Sequence, residues 1–382
     1  MKIYEMMLSL IKSYLSDENL SDDVKEEIAS CDLILLSELS KTHYVLPLVS
    51  ESLYRNDILD KNEKSEFADS LFTSVRQYQI QTRDQIVISA IFEKNNIPHI
   101  FLKGMRIREL WKDAYLRTAS DIDVLVKKED IEKAETAFLK NGFTLHEKTE
   151  KDISFFTKIG TFVELHFSIS ESGMADSTNA VLDRVWDYSE VKNGTEYKMH
   201  EEMFYFHHIA HMAKHFEEGG CGLRPIIDLY VLLDKVSYDK EKLEALLESG
   251  GLLKFDGYAK KLSDYWFKGG EKDSFIKLLE SYILLGGAFG TMENTVNLQK
   301  QKKGGERYIL EKIFLPYDII KFQYPVLQKH RWLTPFYEVR RWFKLLFKGG
   351  IDRSVKEIKT NAKVTEKAVN SAEEMLRKLG LK

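Results

Sequence analysis

The sequence predicts an α/β (α+β) protein, a sheet-bearing core between two helical segments, on three observations. Residues 98–167 fall into short apolar runs of strand length separated by Gly and Asn turns, the clearest being Asp121-Ile122-Asp123-Val124-Leu125-Val126. On either side, apolar residues recur at threes and fours, the period of amphipathic helices. Pro is scarce, 6 in 382 residues, and Gly modest at 21, so linkers and low-complexity tracts are not expected; there is no internal repeat. The chain is long for one core, and the expected division is 1–65 (N-terminal helices), 66–192 (core) and 193–382 (larger C-terminal helical domain).

Composition narrows the class. Cys31 and Cys221, the only cysteines, form neither a disulfide framework nor a thiolate metal site by spacing, which fits a reducing compartment. The opening Met1-Lys2-Ile3-Tyr4-Glu5 lacks a signal-peptide core, and no apolar run is long enough to span a bilayer, so a cytoplasmic location is expected. The net charge of -4 hides an asymmetry, because residues 301–382 hold 19 Lys and Arg against 9 Asp and Glu. Such a basic region suits an anionic partner, nucleic acid or a membrane surface, or is simply a solvated helical face.

In chain order, Met7, Leu10, Ile11 and Leu15 mark a first helix, and Ser21 or Asp22 caps a second. A long helix follows from about Ser65 to Asn95, with Phe67, Leu71, Val75 and Tyr78 on its stripe, and stops before Pro98. Pro98 to Lys103 reads as a strand, Gly104 as its break, and Met105 to Lys112 as a helix. A glycine at that junction lets a phosphate approach backbone N–H groups, or merely relieves backbone strain.

Asp121 and Asp123 open the next strand. Side chains alternate along a strand, so both carboxylates share one face and can share a divalent cation. Repulsion and desolvation disfavour the pair without a cation or basic group opposite. Lys128 to Asn141 follows as a helix ended by Asn141-Gly142, then strands at 143–148, 153–158 and 161–167, the last two joined at Gly160. Glu164 and His166 lie on one face of the last strand. Beside the acid strand, Glu164 completes a three-carboxylate cluster; otherwise it faces solvent.

The series Phe101-Leu102-Lys103-Gly104, Arg117, Ser120-Asp121-Ile122-Asp123 and Val163-Glu164-Leu165-His166 resembles the uncharacterised nucleotidyltransferase family of the polymerase beta-like superfamily. The resemblance continues through His207-His208-Ile209-Ala210-His211, Gly222-Leu223-Arg224-Pro225, Asp228-Leu229 and Trp332-Leu333-Thr334-Pro335. It implies a nucleotidyltransferase-fold mixed sheet flanked by helices, with residues 66–192 as the catalytic core. It further implies a Mg²⁺- or Mn²⁺-dependent enzyme moving a nucleoside monophosphate from an NTP to a hydroxyl or phosphate acceptor. Asp121, Asp123 and Glu164 are then the catalytic and metal-holding residues, and Lys103, Gly104, Arg106, Arg117 and Ser120 the phosphate-binding ones. Gly104 is followed by Met105 where the superfamily usually has Ser or Gly, so phosphate binding leans on backbone amides and these basic residues.

His207, His211 and His215 repeat every four residues along one side of a helix, without the intervening Glu of a zinc peptidase. With His166, Arg224 and Asp228 they form interdomain packing, contact substrate, or hold a metal. Two other functions stay open: a catalytically silent module binding nucleic acid or a membrane surface through the basic C-terminal region, and a phosphohydrolase using His207, His211 and Asp228. Gly250-Gly251, Gly269-Gly270, Gly286-Gly287, Gly304-Gly305 and Gly349-Gly350 separate the C-terminal helices, and a final helix is expected over 354–379. The aromatic and basic stretch Trp332–Lys348 either touches an anionic surface or packs with its basic groups snorkelling.

Overall fold

The computed structural model describes residues 1–60, 65–149, 151–171, 173–286, 314–315, 317, 320–321, 324, 326–347 and 366–381. Four short helices come first, α1 (Ile3–Ser16), α2 (Asp22–Ala29), α3 (Leu33–Thr42) and α4 (Leu46–Arg55), followed by the long α5 (Glu66–Lys94). The Ser65 hydroxyl accepts from the Ala68 N–H and caps α5, which ends at Asn95 as the sequence predicts.

Seven strands make one mixed sheet: β1 (His99–Phe101), β2 (Asp121–Val126), β3 (Thr144–Lys148), β4 (Asp152–Phe156), β5 (Phe162–His166), β6 (Ser189–Asn193) and β7 (Glu196–Met199). Their order is β3-β4-β5-β2-β1-β7-β6, with β2 parallel to β5 and antiparallel to β1. The alternation on β2 divides the sheet chemically. Ile122, Val124 and Val126 join Phe101, Val163 and Leu165 in an apolar cluster with Ile88 and Phe92 of α5 and Phe138 of α7 (Ile131–Lys140). Each such side chain contributes roughly 1.5–3 kcal/mol by leaving water. The other face carries Asp121, Asp123, Glu164 and His166. Deeper on that side, Ile100, Leu102 and Leu125 share a second core with α9 (Glu201–Glu218) and α10 (Arg224–Lys235). Across the central strands one face of the sheet is core and the other is core at one end and polar at the other, while β3 and β6 at the two edges are largely exposed.

Several expected boundaries move. β1 stops at Phe101 because Lys103, at φ +41°, turns the chain into the short α6 (Lys103–Ile107). The helical run ends in a 3-10 turn at Arg108–Leu110, before Lys112, and α7 is likewise preceded by a 3-10 turn at Lys128–Asp130. The β6–β7 hairpin was not expected, although Asn193-Gly194 is a strong hairpin turn signal and Gly194 takes φ +54°. Because β7 ends at Met199, the sheet runs past residue 192.

The remaining helices are α8 (Asp176–Leu182), α11 (Lys240–Ser249), α12 (Leu253–Lys268), α13 (Ser274–Gly286), α14 (Val326–Lys329), α15 (Thr334–Phe347) and α16 (Glu366–Leu379). Gly250-Gly251 and Gly269-Gly270 fall between helices as expected, while Gly287, Gly304-Gly305, Gly349-Gly350 and residues 351–365 lie outside the described residues. On α15, Phe336 is exposed, as is the preceding Trp332, and Arg340 stands 5.8 Å from the rings of both Tyr324 and Tyr337. Among the described residues, no helix is long and apolar enough to cross a membrane.

Candidate active site

The N-terminal end of β2 opens on a cavity of about 250 Å³ facing α9 and α10. Lys103, Gly104, Arg117, Ser120, Asp121 and Asp123 reach it from the sheet side. His207, His211, His215, Arg224 and Asp228 reach it from the helices. Residues a hundred positions apart in the chain thus line one cavity. Pairing of β2 with β5 sets Asp123 directly beside Glu164, and His166 Nε2 donates to Asp123 Oδ1 at 2.8 Å and lies 3.5 Å from Glu164 Oε2.

Charge inside the cluster is uneven. Burial, then repulsion from Asp123, pushes the Asp121 carboxyl up, against the pull of Lys103. Burial works the same way on Asp123, yet Lys103 (Nζ 3.4 Å from Oδ1) and His166 hold it well below the usual carboxylate range. His166 would be lowered by burial, but its hydrogen bonds to Asp123 and Glu164 carry it to about 9. Burial likewise opposes the Lys103 ammonium, and Asp123, Glu171, Asp121 and Glu164 together keep its pKa raised. The positive φ of Lys103 is backbone strain of about 1–3 kcal/mol, and the turn it makes sets the ammonium between these acids.

Gly104 is required for a different reason. A Cβ there would stand 2.6 Å from Arg117 Nη1 and 3.3 Å from the Ala119 Cβ, so the guanidinium lies directly against the turn. Arg117 itself is clamped by Asp228, with Nη2 donating at 2.8 Å and Nε at 3.3 Å, while the Trp111 indole N–H donates to the same carboxylate at 3.2 Å. Arg106 points elsewhere. It donates to the Met199 carbonyl and pairs with Glu201, both at 2.6 Å, and lines a separate cavity; the expected phosphate contact is not where the structure puts it. Met105, 1% exposed, packs into the apolar cluster behind β2.

The histidines form a ladder whose Nε2 atoms, on His211 and His215, are 3.0 Å apart. Burial, with Lys103 next, lowers His207 to about 3; burial, with Lys214 next, lowers His215 to about 4. All are neutral near pH 7. His211 Nδ1 is 3.4 Å from Glu171, which also pairs with Lys214 at 2.7 Å. Sequence reasoning missed Glu171, which stands in a loop with no periodic pattern to mark it. The hydrolase alternative needs His207, His211 and Asp228 on one metal. Among the described residues the only trio with ligand atoms within 4.8 Å of one another is Asp123, Glu164 and His166, and Asp228 is engaged by Arg117 and Trp111.

The donor chemistry fits a hard divalent cation, since the carboxylates of Asp121, Asp123 and Glu164 share one face of the sheet and Lys103 with His166 offsets only part of their charge. A cation held by this cluster would compete with the His166 proton. Below about 9 that proton is held, so Mn²⁺ affinity is expected to climb from pH 6 to 9, by at most about tenfold per pH unit. Titration with Mn²⁺ across that range checks it. His166→Asn should flatten the slope, and an unchanged slope in that variant would mean another group carries the linked proton.

The model of the family described as uncharacterised nucleotidyltransferase matches residues 32–268, which include the whole sheet, the cavity and α9 to α12. No curated protein and no solved structure matches the chain. With the acid strand, its register partner Glu164 and the Lys103-Gly104 turn all inside the matched span, the chain belongs to the uncharacterised nucleotidyltransferase family.

Proposed function

We propose that the protein is a Mg²⁺- or Mn²⁺-dependent nucleotidyltransferase that moves a nucleoside monophosphate from an NTP to a hydroxyl or phosphate acceptor. The observation that carries this reading is Asp121 and Asp123 at the cavity, with Glu164 in register on the parallel neighbouring strand, all three acting on the Lys103 ammonium of the turn. Bound by them, the metal ion would supply charge neutralisation for the phosphates and lower the pKa of the attacking hydroxyl. Asp121 and Asp123 hold the nucleotide's side of that cluster. Glu164, less buried, orients the acceptor hydroxyl and takes its proton. Lys103 and the Ser120 hydroxyl hold phosphate oxygens, and the bare Gly104 backbone allows their approach. A whole ligand usually fills roughly 300–1,000 Å³. At about 250 Å³ the cavity suits the phosphates, leaving the nucleoside and acceptor nearer its mouth.

Calorimetric titration with each NTP, with Mg²⁺ or Mn²⁺ and then with excess EDTA, tests the proposal. One NTP should bind at least about tenfold more weakly without metal, because two acids then repel the phosphates uncompensated. Failure of all NTPs to bind in metal would retire the reading.

A further inference from the structure

Positive charge around the cavity is nearly all committed. Lys103 is shared between Asp123 and the phosphate turn, Arg117 is clamped by Asp228, and Arg106 is turned away to Glu201. Arg224 differs. Among the described residues no carboxylate comes within 4.0 Å of it; Nη1 donates to the Thr118 carbonyl at 3.1 Å, and the guanidinium carbon is 5.7 Å from the Tyr44 ring. Those contacts orient the group, and Asp228 and Asp121 act on its charge without pairing with it. On the adjacent helix His207 is 3% exposed and makes no hydrogen bond within the described residues. It lines the cavity. A partly buried guanidinium with no carboxylate at ion-pair distance, acted on only from further off by Asp228 and Asp121, and a buried imidazole with no hydrogen bond among the described residues both face one polar cavity.

We propose that Arg224 and His207 form an oxyanion subsite for the pyrophosphate end of the nucleotide, facing the acid strand across the cavity. This rests on, and deepens, the nucleotidyltransferase reading: the acids gather the metal-bearing side of the triphosphate while the helical wall receives the leaving phosphates. Phosphate is the ligand chemistry indicated because a planar guanidinium pairs with two phosphate oxygens at once, and a neutral imidazole adds one N–H donor without adding charge. The sequence reading placed Arg117 among the phosphate-binding residues, with Lys103, Gly104, Arg106 and Ser120. The bidentate bond of Arg117 to Asp228 leaves that task to Arg224.

The test is calorimetry of the full-length protein with inorganic pyrophosphate in EDTA, alongside a nucleoside monophosphate and the NTP, each with Mn²⁺. Arg224→Gln should weaken pyrophosphate and NTP at least tenfold while leaving the monophosphate within twofold. Arg224→Lys, which keeps the charge and loses the fork, should fall between. His207→Phe should weaken pyrophosphate several-fold, and His207→Gln should restore most of it. Melting temperatures identify any variant that fails to fold; if Arg224→Gln does, Arg224→Lys carries the comparison. Unaltered pyrophosphate affinity in a folded Arg224 variant overturns the subsite even if the enzyme transfers nucleotide. Arg224-dependent pyrophosphate binding by a protein that turns over no NTP supports the subsite and overturns the transferase.

Discussion

Asp123→Asn is expected to cost at least about a thousandfold in nucleotidyl transfer, well beyond the 10–100-fold typical of losing an outer partner of a metal site. Asp123 is where three effects meet: it lies beside Glu164 in register, accepts from His166, and is the nearest counter-charge to Lys103. An asparagine keeps the shape and one acceptor oxygen and loses the charge. Imidazolium, ammonium and any bound metal would then all be undercompensated where the proposed reading puts the phosphates.

The same substitution should leave the fold standing. Lys103 keeps Glu171, Asp121 and Glu164 around it, and Asp121 is relieved of its closest like charge, so its carboxyl should drop back toward the ordinary range. The two halves are separable by experiment. Transfer of label from an α-labelled NTP reads activity, and thermal unfolding reads stability. Wild-type turnover by both Asp123→Asn and Asp121→Asn would remove these acids from the chemistry. A pH series adds a sign check. The depressed pKa of Asp123 makes its ionised form stabilising above the unfolded value of roughly 3.9, a contribution lost as pH falls toward the folded value. Asparagine should therefore lose less stability on acidification than the native protein.

How much of this was legible beforehand depended on which physical signal each part leaves in the sequence. β2 was readable because a run buried on both faces leaves few polar interruptions, and two acids at its start stand out against it. Glu164 was readable only as half of an alternative. Strand period places it on a face, but not which strand lies beside it; the parallel pairing of β2 with β5 decided that. Arg106 and Arg117 looked equivalent because a basic residue near a glycine turn carries no record of its partner. Glu201 and Asp228, both nearly a hundred or more positions away, decide their roles. The β6–β7 hairpin hid for another reason: β6 is exposed along most of its length, so it lacks the apolar alternation that marks a half-buried strand. Arg224 and His207 were both noticed, yet an ion pair that fails to form leaves no mark in a sequence.

Asp228→Ala should be the most destabilising single change in the polar part of the interface between the sheet and α10, at about 3–5 kcal/mol. The carboxylate is 1% exposed, and it satisfies two guanidinium nitrogens and one indole N–H at once. Truncation leaves the Arg117 charge buried against the Gly104 turn with only the Thr118 carbonyl to accept from it. Urea denaturation measures the loss, which should appear as a lower midpoint with an unchanged slope. Replacing both members by apolar residues, Arg117→Met with Asp228→Leu, should recover much of it, because the cost comes from the orphaned charge rather than from the missing bond. A loss below about 1 kcal/mol for Asp228→Ala, the range of exposed pairs, would mean that water reaches Arg117 freely. The recovered double variant also has a functional consequence. Arg117 fixes one wall of the phosphate turn, so stability should return without full activity, separating the clamp that holds the cavity's shape from the groups that bind within it.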